Sequence, residues 1–172
     1  TQEVDINLMI NHAKAVCKNT SRANIIVDMP FGTYENSKIK AYNNAKKIIE
    51  GTGACGVKLE GGEKIAPTIK YLVEKGINVM GHLGMLPQSV KSVRDYRVYG
   101  KKDSEVKRMI KDILSLEKSG VFAVVIEATT ESLSKKVSKI VNIPTIGIGA
   151  SKECSGQILV TEDILGLTTF EA

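Results

Sequence analysis

The 172 residues carry a formal net charge of +5, with 42% hydrophobic and 25% charged residues, the balance of a single globular domain in water. No apolar run approaches the roughly 18 residues that a membrane span requires, and no signal-peptide pattern opens the chain, so a cytoplasmic protein without a membrane segment is expected. Aromatic residues are only 5%, and the lysines scatter over helical stretches (Lys38, Lys40, Lys46, Lys47; Lys135, Lys136, Lys139), which reads as solvated helix surface and argues against a nucleic-acid face.

Short β-like runs alternate with amphipathic helices along the chain. Residues 5–18 read as a helix and 24–28 (NIIVD) as a strand; a helix over 35–51, closed by Gly51, precedes a strand at 54–60 (ACGVKLE). A helix over 63–75 leads to a strand at 77–82 (INVMGH) and then a long loop, 83–102. The next helix, 103–119, has Asp103 or Ser104 as its expected N-cap and Gly120 as its stop. A strand at 121–127 (VFAVVIE), a helix at 131–141, a strand at 144–149 (PTIGIG) and a sixth strand at 158–160 complete the series. The strands are apolar on both faces, as parallel strands covered on both sides are. Alternating β and α units leave two architectures, an open doubly wound sheet or a closed barrel. A complete (β/α)₈ barrel takes about 250 residues, more than are present. The chain does not open on Met, and Thr1 is read as an internal position of a longer protein.

Cys17, Cys55 and Cys154 are odd in number and widely spaced, which speaks against a disulfide framework or a zinc site and fits a reducing compartment. The chemistry gathers instead at the strand ends. Four consecutive apolar runs finish on Asp28, Glu60, His82 and Glu127, and Lys58 lies two residues before Glu60, on the same face of its strand. A charge at the end of a buried strand must be solvated, paired or metal-bound. In a parallel barrel these ends share one rim, where such enzymes place their catalytic groups. Each residue also has a plain structural role open to it: an acid can cap the next helix, Lys58 can pair with Glu60 or Asp28, and His82 can hold the long loop. The glycines at 147–149 fit either a ligand's phosphate or close packing.

The same segments resemble a known family. VDMPFGTYE (27–35), VKLEGG (57–62), VMGHLGMLPQSV (79–90), and IGIGA (146–150) followed by GQILV (156–160) are similar to the successive motifs of ketopantoate hydroxymethyltransferases, and INHAKAV (10–16) is similar to the helix before the first of them. The resemblance implies a TIM (β/α)₈ barrel of the phosphoenolpyruvate/pyruvate superfamily, a single domain over 1–172 that lacks the first strands and the C-terminal extension. It implies hydroxymethyl transfer from 5,10-methylenetetrahydrofolate to 3-methyl-2-oxobutanoate, giving 2-dehydropantoate. Mg²⁺ would sit at Asp28 and Glu60, the keto acid against Asp28, Lys58 and His82, and Glu127 would be the general base. A homo-oligomer, a decamer by resemblance, is implied as well. The family's upstream GDS-type motif has no counterpart here, and the motifs depart from the family at Leu86 (usually Thr), at EATT (127–130) and at Ser155 (commonly Asp). Two readings follow: part of a working enzyme, or a shortened, inactive relative kept as a folded or oligomer-forming protein.

Overall fold

The computed structural model describes residues 4–90 and 96–167. In chain order it contains α1 (Ile6–Lys18), β1 (Ile26–Asp28), α2 (Lys38–Thr52), β2 (Gly56–Glu60), α3 (Ala66–Glu74), β3 (Val79–Gly84), α4 (Asp103–Lys118), β4 (Ala123–Glu127), α5 (Glu131–Ile140), β5 (Thr145–Ile148), β6 (Gly156–Gln157) and α6 (Thr161–Ile164), with a 3-10 turn at Pro87–Ser89. The predicted 83–102 loop falls outside the described residues at 91–95, as does the chain end at 168–172.

The six strands form one sheet in the order β1-β2-β3-β4-β5-β6, and every neighbouring pair is parallel. A doubly wound sheet reverses direction partway along, whereas strands that follow sequence order around a curling sheet are the barrel pattern. The sheet is an open, curled part of a barrel: among the described residues, β1 and β6 each have a single strand neighbour.

One face of the sheet packs under the helices. Val57, Leu59, Val79, Val124 and Ile126 on that face are almost completely buried. Gly81 belongs to it too, because a side chain there would run into Leu116 of α4. The opposite, concave face is not uniformly apolar as expected. Register places Asp28, Lys58 and Met80 on one level, Glu60, His82, Val125 and Ile146 on the next, and Gly84, Glu127 and Ile148 on the level above. The polar groups thus climb diagonally across the concave face, following the strand stagger that a barrel imposes.

Several boundaries shift for local reasons. Helix α2 starts after Ser37, whose hydroxyl accepts from Lys40 N–H, and runs past Gly51 to end at Gly53, whose φ of 78° suits a residue without Cβ. The N-cap of α4 is Lys102, not Asp103 or Ser104. The side chain that satisfies the helix start is Glu105, whose Oε2 accepts from the N–H groups of Gly100 and Lys101 at 2.9 and 3.2 Å. The sixth strand lies at Gly156–Gln157, two residues before its expected place: Ile158 N–H still reaches Gly147 O, but Leu159 and Val160 leave the sheet toward α6.

Candidate active site

Asp28 ends β1 directly beside Lys58 of β2, and Lys58 Nζ lies 3.3 Å from Asp28 Oδ2. The pairing anticipated as a structural role for Lys58 is therefore formed, with Asp28 as its partner. One level up, Glu60 and His82 are register partners, and Gly61 N–H closes the strand ends by donating to His82 O. His82 Nδ1 is 3.7 Å from Glu60 Oε1, and Nε2 is 3.0 Å from Glu127 Oε2. The imidazole is only 1% exposed, yet neither ring nitrogen has an aligned hydrogen-bond partner. Its carboxylate neighbours stand at ion-pair distance without lying along the N–H directions. Buried polar atoms without an aligned partner are exceptions in folded interiors. Burial raises the Glu60 carboxyl above the ordinary carboxylate range, while His82, the Gln88 N–H and Lys58 oppose that rise.

The five residues singled out from sequence thus occupy one concave face as two linked groups, Asp28–Lys58 and Glu60–His82–Glu127. Sequence reasoning missed Tyr34 and Gln88. Tyr34 O–H donates to Gln88 Oε1 at 2.8 Å and accepts from Glu60 N–H at 3.3 Å; Gln88 N–H donates to Glu60 Oε2 at 3.0 Å and Gln88 Nε2 donates to Met29 O at 2.9 Å. Both lie inside motifs already noted, TYE and PQS, but nothing in a linear reading joins positions 54 apart. Backbone geometry at Glu127 was missed as well. Ala128 has φ 47°, rare for a residue with Cβ, and Gly84 has φ 94° and sits where a side chain would strike Glu127 O. Met85 N–H then binds Glu127 O at 2.9 Å, and Tyr99 N–H binds Ala128 O at 2.8 Å. The residue carrying the predicted base is anchored from both sides.

A cavity of about 620 Å³ opens on the helix side of Glu60, walled by Ile65, Leu86, Tyr99, Arg108 and Met109. At Gly147 close packing is observed, since a Cβ there would meet Gln157 Oε1 at 2.9 Å and Cys154 Sγ at 3.2 Å; Gly149 instead has φ 54° and open surroundings, with Ala128 at 3.8 Å. The cysteines are free thiols. No cluster of three or more His, Cys, Asp or Glu side chains suited to a metal occurs among the described residues. Asp28 and Glu60 offer the hard oxygen donors that a magnesium-like ion uses when one or two carboxylates hold it and water and substrate complete its shell. None of the helices among the described residues is long and apolar enough to cross a membrane.

Parallel strands in sequence order, with carboxylates, a lysine and a histidine on one concave face, define a barrel-type α/β protein with a cluster of ionisable groups at its strand ends. Solved structures agree on the fold: a putative phosphonomutase from Burkholderia cenocepacia matches with a TM-score of 0.70 at 10% identity, over 95% of this chain and 74% of its own. A 2,3-dimethylmalate lyase, a member of the PEP mutase/isocitrate lyase superfamily, matches with a TM-score of 0.66 at 14% identity, over 96% of this chain and 62% of its own. The chain belongs to the ketopantoate hydroxymethyltransferase family, whose family model matches residues 1–172. It is 48% identical over 167 residues to the 3-methyl-2-oxobutanoate hydroxymethyltransferase of Brucella suis, covering 97% of this chain and 61% of that protein. The protein of the same description from Rhizobium etli is 49% identical over 164 residues, covering 95% of this chain and 60% of that protein. The chain therefore spans about three fifths of the length of these relatives.

Proposed function

We propose that the protein containing this chain transfers a hydroxymethyl group from 5,10-methylenetetrahydrofolate to 3-methyl-2-oxobutanoate, producing 2-dehydropantoate. The observation that carries the reading is the alignment of Glu60, His82 and Glu127 beside the Asp28–Lys58 pair on one concave face. In this reading Glu127 takes the C3 proton of the keto acid. His82 Nε2 stands 3.0 Å from that carboxylate and faces the acid once it is protonated. The Lys58 ammonium stabilises the negative charge that builds on the keto oxygen or binds the substrate carboxylate. The C3 carbanion equivalent then forms the new bond to the methylene carbon of the folate as one of its two nitrogens leaves with the electron pair. Water supplies the hydroxyl as the second carbon–nitrogen bond breaks, and the folate nitrogens take up the protons, one of them the proton that Glu127 removed, so that tetrahydrofolate is released. Asp28 and Glu60 would hold Mg²⁺, which when bound supplies Lewis-acid polarisation of the keto carbonyl. The cavity beside Glu60 has the volume of a small-molecule site; it shares Glu60 with the cluster, while Asp28, Lys58, His82 and Glu127 do not line it.

The six strands correspond, in this proposal, to the later part of an eight-stranded barrel whose first strands carry the missing GDS-type motif. The protein is cytoplasmic and homo-oligomeric, a decamer by resemblance. The single sheet neighbours of β1 and β6 support completion by further strands. The decisive experiment follows exchange of the C3 proton of 3-methyl-2-oxobutanoate for deuterium by NMR, using full-length protein with and without Mg²⁺. Magnesium-dependent exchange is expected, and its absence would overturn the assignment.

One observation favours the second reading, an inactive relative. Leu86, which lines the cavity beside Glu60, puts an apolar wall where the family usually has a threonine hydroxyl. Full-length protein that folds and oligomerises but gives no exchange would establish it.

A further inference from the structure

Four hydrogen bonds around Gln88 form one directed circuit. Glu60 N–H can only donate, so the Tyr34 hydroxyl accepts it and turns its own proton toward Gln88 Oε1. Met29 O can only accept, so the other end of the same amide, Nε2, must face it. The main-chain N–H of Gln88 completes the circuit on Glu60 Oε2. No alternative orientation of the amide satisfies these partners, and Met29, Tyr34 and Gln88 are 0%, 2% and 5% exposed, so water is not a ready substitute.

The partners come from separate parts of the chain. Met29 follows Asp28 at the end of β1, Tyr34 belongs to the loop after β1, Glu60 ends β2, and Gln88 sits in the 3-10 turn after β3. The buried side-chain amide thus joins the backbone next to Asp28, through the Tyr34 hydroxyl, to the main chain of Glu60, and the main-chain N–H of Gln88 holds the Glu60 carboxylate. With Oε2 held by Gln88 N–H, Glu60 Oε1 is left toward His82.

We infer that Gln88, seconded by Tyr34, is a positioning residue that ties the end of β1, next to Asp28, to Glu60 and its carboxylate, and so holds the two acids in place as a divalent-cation pair. The inference rests on the proposed function, which places a cation at those two acids. Gln88 does not itself touch the reacting atoms; it acts through Glu60 and the end of β1. Outer partners of this kind typically change cation affinity by about 10- to 100-fold when removed.

The test uses full-length protein and Mn²⁺ as probe, with free Mn²⁺ measured by electron paramagnetic resonance and folding followed by thermal melting. Gln88→Met keeps the side-chain length and the main-chain N–H but deletes both amide bonds. It is expected to weaken Mn²⁺ binding by about tenfold or more while retaining a cooperative melt. Tyr34→Phe keeps the ring and removes one link, so a smaller weakening in the same direction is expected. It decides the question if Gln88→Met does not fold. A purely structural role would lower the melting temperature and leave the Mn²⁺ dissociation constant within about twofold of the parent, which would overturn the inference while leaving the function standing. A parent protein that binds no Mn²⁺ at all would overturn the function and this inference with it.

Discussion

Strands β1 to β4 and strands β5 to β6 belong to one sheet, yet their rims differ in kind. The first four end in or beside Asp28, Glu60, His82 and Glu127, while β5 ends on Ile148 and β6 on Gln157. Ile146 and Ile148 stand on the same levels as His82 and Glu127. Beyond β6 the chain shows bare apolar side chains, with Leu159 67% and Leu165 64% exposed. A shared backbone geometry thus supports two different surfaces. What distinguishes them is the side chain at the last inward position of each strand and the loops that hold it.

The largest contrast is catalytic. Glu127→Gln in full-length protein should lower C3 exchange by about 10²- to 10⁴-fold, the usual reach of a positioned base. Ile148→Ala, on the same level one strand away, should change it far less; equal losses in the NMR assay would erase the distinction between the rims. Backbone comes next. Gly84→Ala forces a Cβ onto Glu127 O at φ 94°, and should cost about 2–4 kcal/mol by urea denaturation and reduce exchange. Gly166→Ala, at φ 67° with open space around it, should cost only about 1 kcal/mol of conformational strain. If the two lost stability equally, crowding at Glu127 would not be the cause.

A third effect belongs to the open end. Leu159→Lys and Leu165→Lys should leave stability within about 0.5 kcal/mol and reduce self-association of the 172-residue segment in light scattering. Loss of cooperative melting would show that these side chains are packed. The smallest effect concerns Glu60. Burial raises its carboxyl in the folded state, so the fold holds this proton more tightly than the unfolded chain does. That contribution is fully present below the ordinary carboxylate value and is lost as pH rises through the raised one. Chelator-treated protein should therefore lose stability with rising pH across that window, and Glu60→Gln should flatten the slope in denaturant titrations.

The regular elements were legible because their signals are local. Alternating apolar runs, Gly120 at the end of α4 and the acids closing strands are all read within a few residues, whereas the stop expected at Gly51 is provided by Gly53. Boundaries moved where a cap was supplied from a distance along the helix, as with Glu105 satisfying a start that Asp103 or Ser104 was expected to cap. The concave face was misjudged as apolar since Lys58, Glu60 and His82 interrupt runs whose other members lie under the helices. Asp28, Lys58, Glu60, His82 and Glu127 were legible by residue type and place. Tyr34 and Gln88 were not, because their role exists only once two loops meet.

Strand order has a consequence for how the sheet can be assembled. Each strand pairs with the one made just before it, so no later strand must wedge between two already joined. During synthesis the sheet can therefore grow at a single moving margin, each βα unit landing on a template finished moments earlier. The acids and the histidine come together in the same order, so the pocket is built vectorially, Asp28 and Lys58 first and Glu127 last.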